Sequence, residues 1–170
     1  EYKGEKVPGL REVLELAQGK IKLNIELKPA DNGEELARKT VALIEKYNME
    51  NDCVITSFSS SALSAAKSCD ENIRVGYILS AAYGDYYDMK NIDFFSVNAA
   101  FLSKRTIDAI HNSGKQVYAW TVNNKDSIKN LTNKGVDGVI TDNPVLARET
   151  IYSRDTSETI VNMIRYVFNQ

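Results

Sequence analysis

The sequence has little of what several functional classes require. Its 170 residues include one histidine and two cysteines, and the net charge is −2 with both signs interspersed. No basic stripe is present that could neutralise nucleic-acid phosphates, so we do not expect nucleic acid as a partner. No stretch approaches the roughly 20 apolar residues that span a bilayer. The first residues show neither a starting Met nor a signal-peptide pattern, as expected of a chain cut from a longer one.

The cysteines favour a structural role. Cys53 and Cys69 have no CxxC spacing and no neighbouring histidine, so we expect two small buried or half-buried thiols, with a disulfide or a metal site as the lesser alternative. The hydrophobic content of 43% and the charged content of 26% are ordinary for a soluble globular protein. A chain of this length can form one domain with a sizeable core.

Short apolar runs alternate with longer segments of helical periodicity. The pattern predicts strands at residues 20–27, 53–58, 73–79, 92–98, 116–123 and 136–142, each followed by a helix or a helix-like segment. Repeating β–α units imply a parallel sheet with right-handed crossovers, either doubly wound or closed into a barrel.

Polar residues recur where the predicted strands end: Glu26, Lys28, Ser57, Asn98, Thr121, Asn123, Thr141 and Asp142. A barrel assembles its active site from the carboxyl ends of many strands, whereas a doubly wound sheet concentrates ligand contacts at one switch point. The spread therefore favours a TIM-type (β/α) barrel. Because a complete barrel has eight units, we expect an incomplete one, with parallel strands and about six of the eight β/α units.

Three polar side chains of the first predicted strand share one face. Asn24, Glu26 and Lys28 are two residues apart, and side chains of a strand alternate between its faces. A charge on a buried face costs several kcal/mol unless it is paired, bound to metal or kept in water. Glu26 with Lys28 is therefore either a structural ion pair or part of a functional site.

Several segments match a known family in order and spacing. They are "VPGLREVLEL", "NIELK", "VITSFSSSAL" and "VYAWTVNNKDSIKNLTNKGVDGVITDNP". Up to about Arg148 the chain resembles the glycerophosphodiester phosphodiesterase family. The resemblance implies a (β/α)₈ barrel that hydrolyses glycerophosphodiesters, such as deacylated phospholipids, to glycerol 3-phosphate and an alcohol. It also implies a divalent cation, Ca²⁺ or Mg²⁺, that bridges the phosphate, and two histidines that act as general acid and base.

By this resemblance, Glu26 matches a metal-ligating glutamate, Lys28 a lysine that contacts the phosphate, and Trp120 an aromatic residue that lines the pocket. Ser57 and Asn98 are further candidate substrate contacts. For each we keep an alternative: Ser57 could cap the next helix, Asn98 could bind neighbouring backbone, and Trp120 could belong to the core. Asp142, just before Asn143 and Pro144, has a helix-capping alternative too.

The chain departs from the family where the acid–base chemistry is expected. The family's opening His-Arg-Gly histidine, its Glu-x-Asp metal pair and its second histidine all precede the point where this chain begins, together with the first two barrel strands. The only histidine, His111, lies at the end of a predicted helix, opposite the strand carboxyl ends, and is expected to be a surface or capping residue. We therefore expect no catalytic residue within this chain and an incomplete cation site at Glu26.

The leading hypothesis is the carboxyl-terminal part of a phosphoric diester hydrolase that is inactive in isolation. Residues 1–150 would form the partial barrel and residues 151–170 a helical extension of the same domain. The alternatives are a non-catalytic phosphate-binding or regulatory module and an unrelated α/β binding domain. The segment "AAYGDYYDMKN" is expected to be a lid or an exposed loop. A cytoplasmic or membrane-attached parent is favoured.

An open barrel exposes two sheet edges, and exposed edges pair with other chains. We therefore predict that the chain forms a homodimer or exchanges a strand through these edges. Static light scattering over a range of concentrations measures the mass directly. A monomeric mass at high concentration would contradict the prediction.

Overall fold

A computed structural model describes residues 3–81 and 86–153. The strands are β1 (Leu23–Leu27), β2 (Cys53–Ser57), β3 (Arg74–Leu79), β4 (Phe94–Asn98), β5 (Gln116–Trp120) and β6 (Gly138–Val139). The helices are α1 (Leu10–Ala17), α2 (Gly33–Lys46), α3 (Ser60–Cys69), α4 (Lys104–Asn112), α5 (Lys125–Lys134) and α6 (144–153). Two 3₁₀ turns cover Tyr86–Asp88 and Ala99–Phe101.

The six strands follow one another in the sheet in chain order, β1 to β6. β1 pairs with β2 in parallel from Leu23 opposite Cys53 to Leu27 opposite Ser57, and β2 pairs with β3 in parallel as well. β5 and β6 form a further parallel pair. Sequential parallel strands joined by helices are the topology that the sequence predicts.

The predicted strands are all present, but several are shorter than predicted. β1 begins at Leu23 and not at Lys20, because the N–H groups of Lys20 and Ile21 donate to the Ala17 carbonyl and continue the last turn of α1. Residues 82–85 of the predicted lid or loop lie outside the described residues. So do residues 154–170, which form most of the predicted helical extension, and the division at residue 150 stays a prediction.

The chain divides into two compact units. The first contains Glu1–Leu79 with Asp88–Phe95, and the second contains Ser80–Tyr87 with Ser96–Gln170. Each unit has a core of side chains at 0% exposure. In the first unit these include Leu14, Ile44, Met49, Ile55, Leu63 and Ile73, and in the second Ile107, Ile110, Val117, Ala119 and Ile128. In the described part of the chain, no helix is long and apolar enough to cross a membrane.

Gly76 allows a close approach inside the first unit. A Cβ atom at this position would lie 2.1 Å from the ring of Phe94, which is fully buried. Gly76 pairs in register with Thr56, which pairs with Glu26. The Phe94 ring therefore packs against Gly76 of β3, which shares a face of the sheet with Thr56 and Glu26.

An aspartate clamps the start of β3 in the first unit. The Asp93 N–H donates to the Val75 carbonyl at 2.9 Å, while an Asp93 carboxylate oxygen accepts the Val75 N–H at 2.7 Å. Lys67 of α3 contacts the same oxygen at 2.9 Å, with only 14% of its side chain exposed. The Asp93 carboxylate, just before β4, thus contacts both the start of β3 and α3.

The second unit repeats this arrangement at the start of β5. Asp137 exchanges two hydrogen bonds with Val117, at 2.9 and 2.8 Å, and its carboxylate lies 2.9 Å from His111 Nε2. His111 is therefore at the amino ends of the strands, as predicted, and its role there is structural. Such contacts at the amino-terminal face of β/α units serve stability.

The two cysteines differ in their surroundings. Both are free thiols, so the disulfide alternative is excluded for this structure. Cys53, the first residue of β2, is buried, and burial raises the pKa of its thiol to about 11. Cys69 at the end of α3 is exposed, which corrects the expectation that both thiols are at least half buried.

We predict that Asp93→Ala lowers the free energy of unfolding by about 1–3 kcal/mol, because it leaves the Val75 N–H without its acceptor and removes the carboxylate partner of Lys67, which keeps only the Glu71 carbonyl. Asp108→Ala removes the surface ion pair with Lys104 and should cost less than about 0.5 kcal/mol. Urea titrations of both variants followed by circular dichroism measure the difference. Equal losses of unfolding free energy in the two variants would contradict the stabilising role of Asp93.

Candidate functional site

The end of β1 carries an exposed ion pair. Lys28 Nζ lies 3.5 Å from Glu26 Oε2, and the side chains of Lys28 and Glu26 are 78% and 34% exposed. The prediction that the two residues share one face is confirmed. Exposed pairs of this kind contribute at most about 1 kcal/mol, so the pair is too weak to be a main stabilising element. Both charges stay available to a ligand.

Asn24, the third polar residue of this face, binds a side chain of the neighbouring strand. The Thr56 hydroxyl donates to Asn24 Oδ1 at 2.9 Å, and Thr56 is buried. Asn24 lies two register positions before Glu26, the partner of Thr56, so this bond runs diagonally from β1 to β2. Asn24 therefore holds the strands that position Glu26.

Ser57 closes the carboxyl ends of β1 and β2. Its hydroxyl donates to the Leu27 carbonyl at 2.8 Å and accepts the Ser59 N–H at 3.0 Å, and the residue is fully buried. The helix-capping alternative is wrong for Ser57, because Ser59 occupies the N-cap of α3 and accepts the Ala62 N–H. Ser57 thus fixes the backbone at Leu27, directly before Lys28. A substrate contact by Ser57 stays a prediction.

Asn98 ends β4 in the second unit. Its side-chain oxygen accepts the Ala100 N–H at 3.0 Å and begins the 3₁₀ turn Ala99–Phe101. The alternative that Asn98 binds neighbouring backbone is therefore confirmed. Contact of Asn98 with substrate stays a prediction.

Trp120, the last residue of β5, is held by a hydrogen bond. Its indole Nε1–H donates to the Ser96 carbonyl at 2.9 Å, and the residue is half-buried. This bond restrains the orientation of the ring. The core alternative holds only in part, and the pocket-lining role stays a prediction.

Polar side chains connect the segments that follow β5 and β6. The sequence shows that these residues are polar but does not indicate their contacts. Asn123 bonds to both Thr141 and Asp142. The capping alternative for Asp142 is wrong, because Asn143 accepts the Leu146 N–H and caps α6. No spacing in the sequence predicts this contact, since the partners are 19 residues apart.

The described side chains do not by themselves form a cation site. Among residues 3–81 and 86–153, no three His, Cys, Asp or Glu side chains are grouped so that they could hold a metal ion. Ca²⁺ takes six to eight oxygen ligands and Mg²⁺ an octahedral set, whereas Glu26 offers one carboxylate, which faces Lys28.

Sequential parallel β/α units with polar side chains at the strand carboxyl ends define a protein of the (β/α)-barrel class. The model of the glycerophosphoryl diester phosphodiesterase family matches residues 1–146. The chain belongs to this family.

Individual relatives support the assignment. A glycerophosphodiester phosphodiesterase from Caldanaerobacter subterraneus subsp. tengcongensis is 26% identical over 96% of this chain and 64% of its own length. One from Bacillus altitudinis is 27% identical over 81% of this chain and 60% of its own length. The chain thus spans less than two thirds of these curated relatives.

Solved structures share the fold. A glycerophosphodiester phosphodiesterase from Parabacteroides distasonis has a TM-score of 0.81 at 22% identity, covering 89% of this chain and 67% of that one. An Oleispira antarctica phosphodiesterase in complex with the product sn-glycerol-3-phosphate has a TM-score of 0.72 at 27% identity, covering 85% and 61%. The prediction of a partial TIM-type barrel with six parallel strands is confirmed.

We predict that Trp120→Phe lowers the free energy of unfolding by about 1–2 kcal/mol, because the Ser96 carbonyl loses its donor. Tyr118→Phe on the same strand removes a longer, exposed bond to Gln116 and should cost less than about 0.5 kcal/mol. Urea unfolding followed by circular dichroism compares them. Indistinguishable losses would show that the indole bond does not hold the ring.

Proposed function

We propose that this chain contributes the phosphate-binding residues of a glycerophosphodiester phosphodiesterase, which hydrolyses glycerophosphodiesters to glycerol 3-phosphate and an alcohol. The observation that carries the proposal is the exposed Glu26–Lys28 pair at the end of β1, in a chain that belongs to this family. The relative from Oleispira antarctica is in complex with sn-glycerol-3-phosphate, which supports a substrate of this class.

Phosphodiester cleavage requires neutralisation of the phosphoryl oxygens, an activated nucleophile and a protonated leaving group. Lys28 can supply part of the first requirement, since its side chain is 78% exposed and its ammonium contacts Glu26 alone among the described residues, at 3.5 Å. A phosphate that binds Lys28 would compete with Glu26 for the ammonium. The Lys28 ammonium can therefore exchange its contact with the Glu26 carboxylate for one with a phosphate.

We propose that Glu26 is one oxygen ligand of a Ca²⁺ or Mg²⁺ ion. The donor set of the described residues is too small to hold the ion tightly, so further oxygen ligands are required. This chain on its own is accordingly expected to bind either cation weakly or not at all.

The isolated chain is proposed to be inactive. Its one histidine, His111, contacts Asp137 at the amino ends of the strands of the second unit, whereas a (β/α) barrel carries its chemistry at the carboxyl ends. No histidine is thus available as the general acid or base that the family resemblance implies.

A second candidate function is a non-catalytic phosphate-binding or regulatory module. The same exposed ammonium of Lys28 favours it, and so does the single histidine. The two candidates differ in turnover, since a binding module releases no alcohol.

The test is release of glycerol 3-phosphate from glycerophosphocholine with Mg²⁺ or Ca²⁺. We expect no release by this chain and release by the product of the complete reading frame. In that product, Glu26→Gln should lower kcat/KM by at least about 100-fold, because a charge-neutralising ligand is lost. Glu35→Gln, which removes the ion pair with Lys39 on α2, is the matched control and should retain activity.

If the complete product is inert with both metals, the binding-module function replaces hydrolysis. If Glu26→Gln is as active as Glu35→Gln, Glu26 is not a ligand and the assignment of the site to the end of β1 is wrong.

A further inference from the structure

The exposed side of α6 carries apolar side chains at both of its ends. Val145 and Tyr152 are 65% and 61% exposed, and they lie about two helical turns apart on α6. We propose that this side of α6 binds residues 156–168 of the same chain, folded as an amphipathic helix that runs antiparallel to α6. Both segments belong to the second unit, so the contact lies within that unit.

The helix α6 has two distinct sides. Ala147 and Thr150 are 5% and 2% exposed, so one side is buried. The other side contains Val145, Arg148 and Tyr152, which follow the i, i+3, i+7 spacing of one helix face. The Arg148 guanidinium lies over the Tyr152 ring, 5.6 Å from its centroid, so the arginine side chain extends along this face. The apolar stem of an arginine packs against other apolar groups, so a second helix can cover the whole stripe.

The residues that follow α6 have the sequence of an amphipathic helix. Residues 154–170 lie outside the described part of the chain, and their sequence predicts a helix over 156–168. The apolar residues recur at helical spacing, namely Ile160, Val161, Met163, Ile164, Val167 and Phe168. On a helix of 3.6 residues per turn these side chains share one side, and Asn162 and Arg165 lie on the other. Packing of this apolar side is what stabilises such a helix in water.

The connection between α6 and the predicted helix is short. The structure describes α6 up to Ser153, and Asp155 followed by Glu158 is the pattern of a capping box that begins a new helix. Two helices joined by about two to five residues pack as antiparallel neighbours. The predicted helix is therefore held beside α6, and its apolar side can meet Val145 and Tyr152.

Tethering favours the same chain over other occupants of this face. A segment joined by a short linker meets α6 at an effective concentration roughly in the millimolar range, which exceeds that of a second copy in dilute solution. A lipid surface selects amphipathic helices rich in Lys and Arg. Residues 154–170 carry equal numbers of cations and anions, which are Arg154, Arg165, Asp155 and Glu158. This balance favours a protein surface over an anionic membrane.

The test measures amide hydrogen exchange by mass spectrometry in the whole chain, residues 1–170, with the variant Val145→Asp. The substitution places a charge against the apolar side of the predicted helix. It lies in the first turn of α6, where a carboxylate stabilises a helix, so α6 itself is retained. We expect exchange in residues 156–168 to accelerate by about 10-fold or more, because the burial of apolar side chains is lost.

The matched control is Val7→Asp, the same substitution at a valine of the first unit that is 94% exposed. It should leave exchange in residues 156–168 unchanged. If Val145→Asp also leaves it unchanged, α6 does not cover the segment and the proposal is wrong.

A second pair of variants tests the contact from the other partner. Ile164→Asp places a charge on the apolar side of the predicted helix, and Asn162→Asp places the same charge on its polar side. Ile164→Asp should accelerate exchange in α6 by about 3- to 10-fold, because α6 loses its cover, whereas Asn162→Asp should not. Equal exchange of α6 in the two variants would contradict the contact.

Other occupants give different results in the same experiment. Light scattering at the concentration used for exchange measures the mass of the chain. Protection of residues 156–168 that is lost together with a dimer on dilution would assign the segment to a second copy. Protection that arises only with vesicles of phosphatidylcholine and phosphatidylglycerol would assign it to a lipid surface. Either result, or fast exchange of residues 156–168 in the unsubstituted chain, would overturn the proposal.

Discussion

Parallel pairing of neighbouring strands is the constraint on which the site depends. In the first unit the register runs from Leu23 opposite Cys53 to Leu27 opposite Ser57, so the two strands end side by side. The buried Ser57 hydroxyl then binds the Leu27 carbonyl and fixes the backbone at the point where Lys28 leaves the sheet. Glu26 and Lys28 can therefore remain exposed and weakly paired, because other groups hold their backbone.

The two ends of the strands have different roles. At the amino ends, Asp93 and Asp137 each bind both backbone groups of a neighbouring valine together with a side chain from a helix. At the carboxyl ends, the charged side chains of Glu26 and Asp142 are exposed. This division is the one expected of β/α barrels, in which the amino-terminal face provides stability and the carboxyl-terminal face provides chemistry.

Much of the fold could be predicted from the sequence, because hydrophobic periodicity and capping residues are local signals. The limits of α4, for example, follow from helical spacing before Gly114. The shared face of Glu26 and Lys28 follows from strand alternation. The hydrogen bonds could not be predicted, because they depend on register and on backbone direction. The capping of α3 by Ser59 and not by Ser57, and the contact of Asn123 with Asp142, are of this kind.

The central claim is that Lys28, at the carboxyl end of β1, binds the phosphate of a glycerophosphodiester. The most direct measurement is a crystal structure of the product of the complete reading frame with sn-glycerol 3-phosphate. The account predicts a phosphate oxygen within hydrogen-bond distance of Lys28 Nζ, with Glu26 no longer its main partner. A phosphate bound elsewhere, with the Glu26–Lys28 ion pair intact, would contradict it.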